Sequence, residues 1–313
     1  MIRRLALFSA ITGCSLVVPL GDLGPGGDAS IDVTSDVVAE GSVDAGVVCD
    51  FTKPFTTFRA LTELESKGDD NHATLSPDEL QIWFASDRFS DANQRDIYTA
   101  KRQKRTDPFG PISIVTEIST SRDDSQPSIS ADLLTMLFAT LVNGIQWDIF
   151  IATRATASDP FGPPASVVGV NMSSTDWMPT FSGDQKTLYF SSDRGGDANV
   201  WAWSYGSAQA PAQVAGIDTA STDQRQCLSS DELLVYWASN RPDLDHIGGL
   251  DVFVANRAQK TDAFGNARIV TELSTTSDEN ADWLSPDLCR LYVHSNRSIG
   301  MGGDDLYIAE RVP

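Results

Sequence analysis

Five acidic residues stand at one fixed distance ahead of a recurring Ser-x-Asp tripeptide. The tripeptides end at Asp78, Asp132, Asp184, Asp231 and Asp287, and eight residues before each lies Asp70, Asp124, Asp176, Asp223 or Glu279. A ring of carboxylates could hold a cation or a basic partner. Asp also caps turns by accepting backbone N–H bonds, and a residue present in every repeat usually serves the repeat, so the structural role is favoured. The same reasoning covers a Ser-Asp/Asn-Arg motif that places Arg88, Arg194, Arg241 and Arg297 in four repeats and Val142 in the second. A recurring guanidinium beside a recurring carboxylate is expected to tie adjacent loops with bidentate bonds.

Ligand chemistry is better sought where the repeats disagree. Six residues before the last Asp of each tripeptide the series runs His72, Gln126, Met178, Arg225 and Ala281, and one residue later Ala73, Pro127, Pro179, Gln226 and Asp282. If the strand that carries them lines a shared channel, His72, Gln126, Met178, Arg225 and Asp282 converge there and suit a polar ligand or a peptide. The alternative, that some face neighbouring repeats or merely hydrate the channel, carries equal weight. His294 is a second departure, since its column otherwise holds Ala85, Ala139, Ser191 and Ala238. A buried, hydrogen-bonded imidazole is the favoured reading and a functional one the other.

Several chemistries lack their signatures. There is no nucleophile elbow, no HExxH and no phosphate-cradling glycine-rich loop. The cysteines form no CxxC pair and lack the histidines of a zinc site. Acidic, glycine-containing segments at 91–96, 193–197, 243–251 and 300–305 offer oxygen ligands of the kind calcium takes, but none has EF-hand spacing. The expectation is therefore no cofactor, with calcium as the metal to consider. Glycoside hydrolysis needs two carboxylates flanking a sugar, and Asp282 is one of few acids unique to its repeat. A glycosidase using channel carboxylates is the alternative to a binding or scaffolding module.

The elements that position these residues repeat with them. The tripeptide aspartates are 54, 52, 47 and 56 residues apart, a period that signals solenoids or propellers. Strand A ends before each tripeptide at Leu75, Ile129, Phe181, Leu228 or Leu284. Strand B follows, as in Ile82-Trp83-Phe84 and Val235-Tyr236-Trp237, and then strand C, as in Asp96-Ile97-Tyr98 and Asp251-Val252-Phe253. Short apolar runs rich in aromatic and β-branched residues are strands buried on both faces. A Pro-Phe-Gly turn leads to strand D, placed at Val115-Thr116-Glu117-Ile118 in the first repeat. Four strands per unit make a propeller blade. The last repeat stops after strand C, and Arg59–Leu64 matches Arg268–Leu273 in register. The sequence thus predicts an all-β, five-bladed β-propeller of four-stranded blades, closed by an N-terminal strand that completes the last blade and removes an open sheet edge.

Asp176 to Asp184 with its Pro and Phe-Ser, Leu188-Tyr189-Phe190-Ser191-Ser192-Asp193-Arg194, and Asp305-Leu306-Tyr307 together resemble the PD40 repeat of TolB-like propellers. The resemblance covers residues 51–313, with Asp-Pro-Phe-Gly linkers of an exported variant. It implies the propeller fold and makes a protein partner in the cell envelope possible. It implies no activity, because one fold hosts many functions.

Residues 1–13 read as a lipoprotein-type signal peptide: Arg3 and Arg4, an apolar stretch from Leu5, then Ile11-Thr12-Gly13-Cys14. The tetrapeptide resembles a lipobox, with Cys14 as the lipidated residue. Residues 14–50 hold seven acids and no Lys or Arg, the composition of an acidic flexible tether. The propeller follows at 51–313 with 36 acids against 21 bases, a balance that opposes nucleic-acid binding. The chain is expected to be exported and monomeric, held at the bacterial outer membrane by the lipid alone, with an envelope protein or a peptide or glycan ligand as partner. Of the remaining cysteines, Cys49 with Cys289 would lock the ring, and Cys227 with Cys289 is the rival pairing.

Overall fold

The structure, a computed structural model, describes residues 48–89 and 94–312. Cys14, the signal segment and most of the tether lie outside the described residues.

Alternation of apolar residues with turn signals produces twenty strands among the described residues. The first, β1 (Thr57–Ala60), is followed by blade 1: β2 (Asp70–Leu75), β3 (Gln81–Ser86), β4 (Asp96–Lys101) and β5 (Ser113–Ile114). Blade 2 holds β6 (Asp124–Ile129), β7 (Thr135–Val142), β8 (Gln146–Thr153) and β9 (Ala165–Ser166). Blade 3 holds β10 (Asp176–Phe181), β11 (Thr187–Ser192), β12 (Asn199–Ser204) and β13 (Ala212–Gln213). Blade 4 holds β14 (Asp223–Leu228), β15 (Leu234–Ser239), β16 (Asp251–Asn256) and β17 (Gly265–Ile269). Blade 5 is β18 (Glu279–Leu284), β19 (Arg290–Ser295) and β20 (Asp305–Glu310), and its outer strand is β1, paired antiparallel with β20 from Thr57 opposite Glu310 to Ala60 opposite Tyr307. Among the described residues five antiparallel sheets of four strands result, and β1 closes the ring.

The Ser-x-Asp tripeptides build the hairpins between the first two strands of each blade. Ser76 Oγ donates to Asp78 Oδ1 at 2.5 Å, the Leu80 N–H donates to the same oxygen at 3.0 Å, and Glu79 between them is left-handed at φ 62°. The side chains thus replace backbone partners that so tight a turn cannot supply.

Strand D differs from its sequence placement. Val115–Ile118 is a turn beyond β5, closed by an Ile118 N–H bond to Val115 O at 3.2 Å. The same turn follows every outer strand: Leu61 and Leu64, Val167 and Val170, Val214 and Ile217, Val270 and Leu273 are all buried. Apolar residues at i and i+3 meet on one side of a single turn, so a run that alternates like a strand becomes a plug between blades. The core accordingly consists of five apolar clusters, each drawn from neighbouring blades.

The N-terminal segment is laced across the closure. The Phe55 N–H donates to Glu272 Oε1 at 2.9 Å, Arg268 Nη2 donates to Phe51 O at 3.0 Å, and the Cys49 N–H donates to Asp287 O at 2.8 Å. A disulfide joins Cys49 to Cys289 across 240 residues; in the chain-entropy account a loop of that length contributes roughly 5 kcal/mol.

Candidate functional site

The channel wall takes its shape from one irregularity repeated around the ring. In β2, β6, β10 and β14 the pairing with the next strand slips, so that two residues oppose one, between Asn71 and Thr74, Ser125 and Ser128, Trp177 and Thr180, and Gln224 and Cys227. The first extra residue in each is left-handed: His72 at φ 59°, Gln126 at 60°, Met178 at 54° and Arg225 at 57°. Non-glycine residues held there cost of order 1–3 kcal/mol each, and a bulge re-aims its side chain. In β18 the slip falls at Asp282, between Ala281 and Trp283. His72, Gln126, Met178, Arg225 and Asp282 all line one central cavity of about 30 Å³, space for little more than water. The five variable residues singled out in the sequence therefore come together, and they close the channel at its waist.

Their bonding is specific. Arg225 Nη1 donates to Asp282 Oδ1 at 3.2 Å, and His294 Nδ1 lies 2.8 and 3.0 Å from the two Asp282 oxygens. The His72 and His294 rings pack 4.9 Å apart, and His72 Nδ1 contacts Asn71 Oδ1 and, at 3.4 Å, Ser125 Oγ. Gln126 Oε1 accepts the Met178 N–H at 2.8 Å, and Gln226 Nε2 donates to Met178 O at 2.8 Å. Arg225 Nε is buried with no partner. Burial holds the His72 imidazole well below its ordinary pKa, helped by the charges of Arg225, His294 and Arg95. Burial also lowers Arg225, to about 10, against the opposing pull of Asp282. Asp282 thus neutralises Arg225 and orients His294, while His72 stays uncharged beside them.

Beyond the waist, at the end of the channel formed by the Ser-x-Asp hairpins, the space widens to about 140 Å³ and all five blades contribute. One strand position supplies Thr74, Ser128, Thr180, Cys227 and Trp283 to its wall, and Asp282 borders both spaces. Cys227 is buried, and burial pushes its thiol up; among the described residues it is the free cysteine. The sequence reading passed over Trp283. The signal was available: it is the one aromatic in a column otherwise of Thr, Ser and Cys.

The repeated acids serve the joints between blades. Asp70, Asp124, Asp176, Asp223 and Glu279 are all completely buried. In four of them one oxygen accepts the N–H of the residue four positions earlier: Thr120 at 2.5 Å, Met172 at 3.2 Å, Thr219 at 2.7 Å and Thr275 at 2.8 Å. The other oxygen receives the motif arginine, as in Arg241 Nη2 to Asp223 Oδ1 at 2.9 Å, and the same nitrogen donates to the turn carbonyl of Ile217. Arg88, Arg194 and Arg297 repeat this with Leu64, Val170 and Leu273. The carboxylate contact is through one oxygen rather than the bidentate pair expected, because the remaining N–H groups hold the serine hydroxyl and the turn. In blade 2, where Val142 stands in place of Arg, Thr140 Oγ1 donates to Asp124 Oδ1 at 2.6 Å, and burial raises that acid.

For calcium, Asp91 falls outside the described residues; among the described ones no group of three or more His, Cys, Asp or Glu is placed to hold a metal. No helix among them is long and apolar enough to cross a membrane.

No family model matches the chain, and no curated protein does. Among solved structures it is similar to TolB from Acinetobacter baumannii, with 18% identity and a TM-score of 0.51 over 78% of this chain. The match covers 55% of that protein, so the chain spans about half its length. It is also similar to a thermostable family-43 glycoside hydrolase, with 11% identity, a TM-score of 0.50, and coverage of 83% of this chain and 96% of that one. At such identities the likeness shows the architecture, a five-bladed propeller, and nothing of the chemistry.

Proposed function

We propose that the chain is an exported binding module, held at the envelope by a lipid on Cys14, whose ligand enters the channel from the hairpin face and stops at the polar waist. One observation carries this: a space to which all five blades contribute, ending on a cluster found once in the ring, Asp282 with Arg225, His294 and His72. Pockets with a few convergent polar groups are the usual ligand sites. The glycosidase reading has less support. Retaining and inverting enzymes need two carboxyl groups roughly 5–10 Å apart. Among the described residues lining the two spaces, Asp282 is the one carboxylate, and it is already bonded to Arg225 and His294.

A ligand that binds the folded chain and not the unfolded one raises its melting temperature, by an amount that grows with the logarithm of one plus the ratio of free ligand concentration to Kd. A thermal-shift screen of amino acids, short peptides, carboxylates and saccharides should give at least one hit that disappears in Ser128→Phe, which fills the channel mouth. Hits that all survive that change would move the site elsewhere. Turnover of a glycoside abolished by Asp282→Asn would replace the binding reading with the enzymatic one.

A further inference from the structure

We infer that the channel mouth takes a neutral sugar, one pyranose or furanose ring deep, stacked on Trp283; this rests on the channel being the binding site. Charge comes first. The only carboxylate bordering the mouth among the described residues, Asp282, is spent on Arg225 at 3.2 Å and His294 at 2.8 Å. An entering cation would lose its water and meet no free carboxylate, which is costly, and for an anion the nearest guanidinium, Arg225, lies in the waist with its charge already paired to Asp282. A neutral ligand pays no such penalty.

Besides Asp282, the mouth is lined by hydroxyls; those of Ser130, Ser182 and Ser229 are bonded within their hairpins, which leaves Ser128, Thr180 and Ser230 to face a ligand. A hydroxyl both donates and accepts, so these three match a ligand that is itself hydroxylated. Against these stands the indole of Trp283. The equivalent residues in the other blades are Thr74, Ser128, Thr180 and Cys227, and the aromatic is confined to blade 5. Its ring is fixed edge-on by Tyr292, with centroids 5.7 Å apart at 70°, and it is only partly buried. Phe181 contributes a second aromatic to the lining. A sugar ring offers one apolar C–H face and a rim of hydroxyls, the pattern that an aromatic surface within a hydroxyl-lined wall complements. Size points the same way: about 140 Å³ is well under the roughly 300–1,000 Å³ of drug-sized clefts.

The full chain would be titrated by ligand-observed NMR with glucose, galactose, arabinose and N-acetylglucosamine, and in parallel with phenol, glycine and acetate. At least one of the sugars should bind saturably. Trp283→Ala should weaken it at least tenfold, whereas Trp283→Phe, which keeps an aromatic surface, should retain most of the affinity. Saturable binding of phenol, glycine or acetate that Ser128→Phe abolishes, with no sugar bound, would overturn the sugar assignment and leave channel binding standing. Sugar binding indifferent to both Trp283→Ala and Ser128→Phe would overturn the two together, and no binding by any of the four sugars overturns the assignment.

Discussion

The joints between blades and the channel they surround both contain a buried arginine–carboxylate pair, and the two pairs mean different things. Arg241 and Asp223 lie 18 residues apart in one blade, and their arrangement recurs with Arg88, Arg194 and Arg297. Arg225 and Asp282 come from different blades, 57 residues apart, and occur once. Repetition follows from a demand that every blade faces, the pinning of one turn against the next. A single occurrence answers no such demand. Each arginine of the repeated set also lies over aromatic rings of its own joint, Arg241 over Trp237 at 5.0 Å and Phe253 at 5.4 Å, which adds cation–π attraction where water is excluded.

The largest effect that would break this contrast is in a joint. Arg241→Ala leaves Asp223 completely buried without its charge partner, the situation that typically costs about 3–5 kcal/mol. Urea unfolding of the variant should show the loss as a lower midpoint with an unchanged slope. A cost below about 1 kcal/mol, the range of an exposed pair, would deprive the repeated set of its structural role.

The joints were largely legible in the sequence and the channel only by address. Five Ser-x-Asp tripeptides fix the blade count, and the unpaired end of the last repeat points to Arg59–Leu64 as the closing edge, of which Arg59 and Ala60 are strand and Leu61–Leu64 the turn that follows. The Val115–Ile118 run misled because alternating apolar residues fit a strand and a turn with buried i and i+3 positions equally well. Columns that disagree located His72, Gln126, Met178, Arg225 and Asp282. What they would touch was hidden, because their approach depends on left-handed backbone that glycine usually marks and that here falls on His, Gln, Met and Arg. The partnership of Asp282 with His294 spans a hairpin and has no spacing signature of its own.

A second, smaller test sharpens the contrast within the joints. Asn171 clasps strand β8 with both ends of its amide: Oδ1 accepts the Ile149 N–H at 2.8 Å, and Nδ2 donates to Ile149 O at 2.7 Å. One blade on, the equivalent residue is Asp218. Its Oδ1 accepts the Val200 N–H at 3.1 Å, but Oδ2 is buried without a partner. Burial, with Asp223 nearby, raises its pKa to about 7. As a neutral acid it can donate where Asn171 does; ionised, it has no proton to give. The folded state therefore holds this proton more tightly than the unfolded one, so its contribution is intact below pH 3.8 and is lost as pH rises toward 7. Asp218→Asn should stabilise the chain by about 1–3 kcal/mol at pH 8, the cost of an unsatisfied buried group, and by little at pH 4. Equal gains at both pH values would mean that the clasp does not titrate.

The smallest effect lies in the channel and has the opposite sign. His72 is held neutral by burial and by neighbouring positive charge, with its pKa depressed. The unfolded chain binds this proton more readily, so stability is intact above pH 6.5 and falls as the solution is acidified below it. Asn tolerates left-handed backbone better than most residues, so His72→Asn preserves the φ of 59° while removing the titration. At pH 7.5 the variant should match the parent within about 1 kcal/mol, the modest net worth of an exchanged hydrogen bond. Between pH 6.5 and 5 the parent's melting temperature should drop and the variant's should drop less. A parallel decline would place the acid sensitivity elsewhere and make His72 a wall residue like Met178. Divergence would show that the waist resists protonation as a unit, since a charge on His72 would face Arg225 and His294 with Asp282 already committed to both.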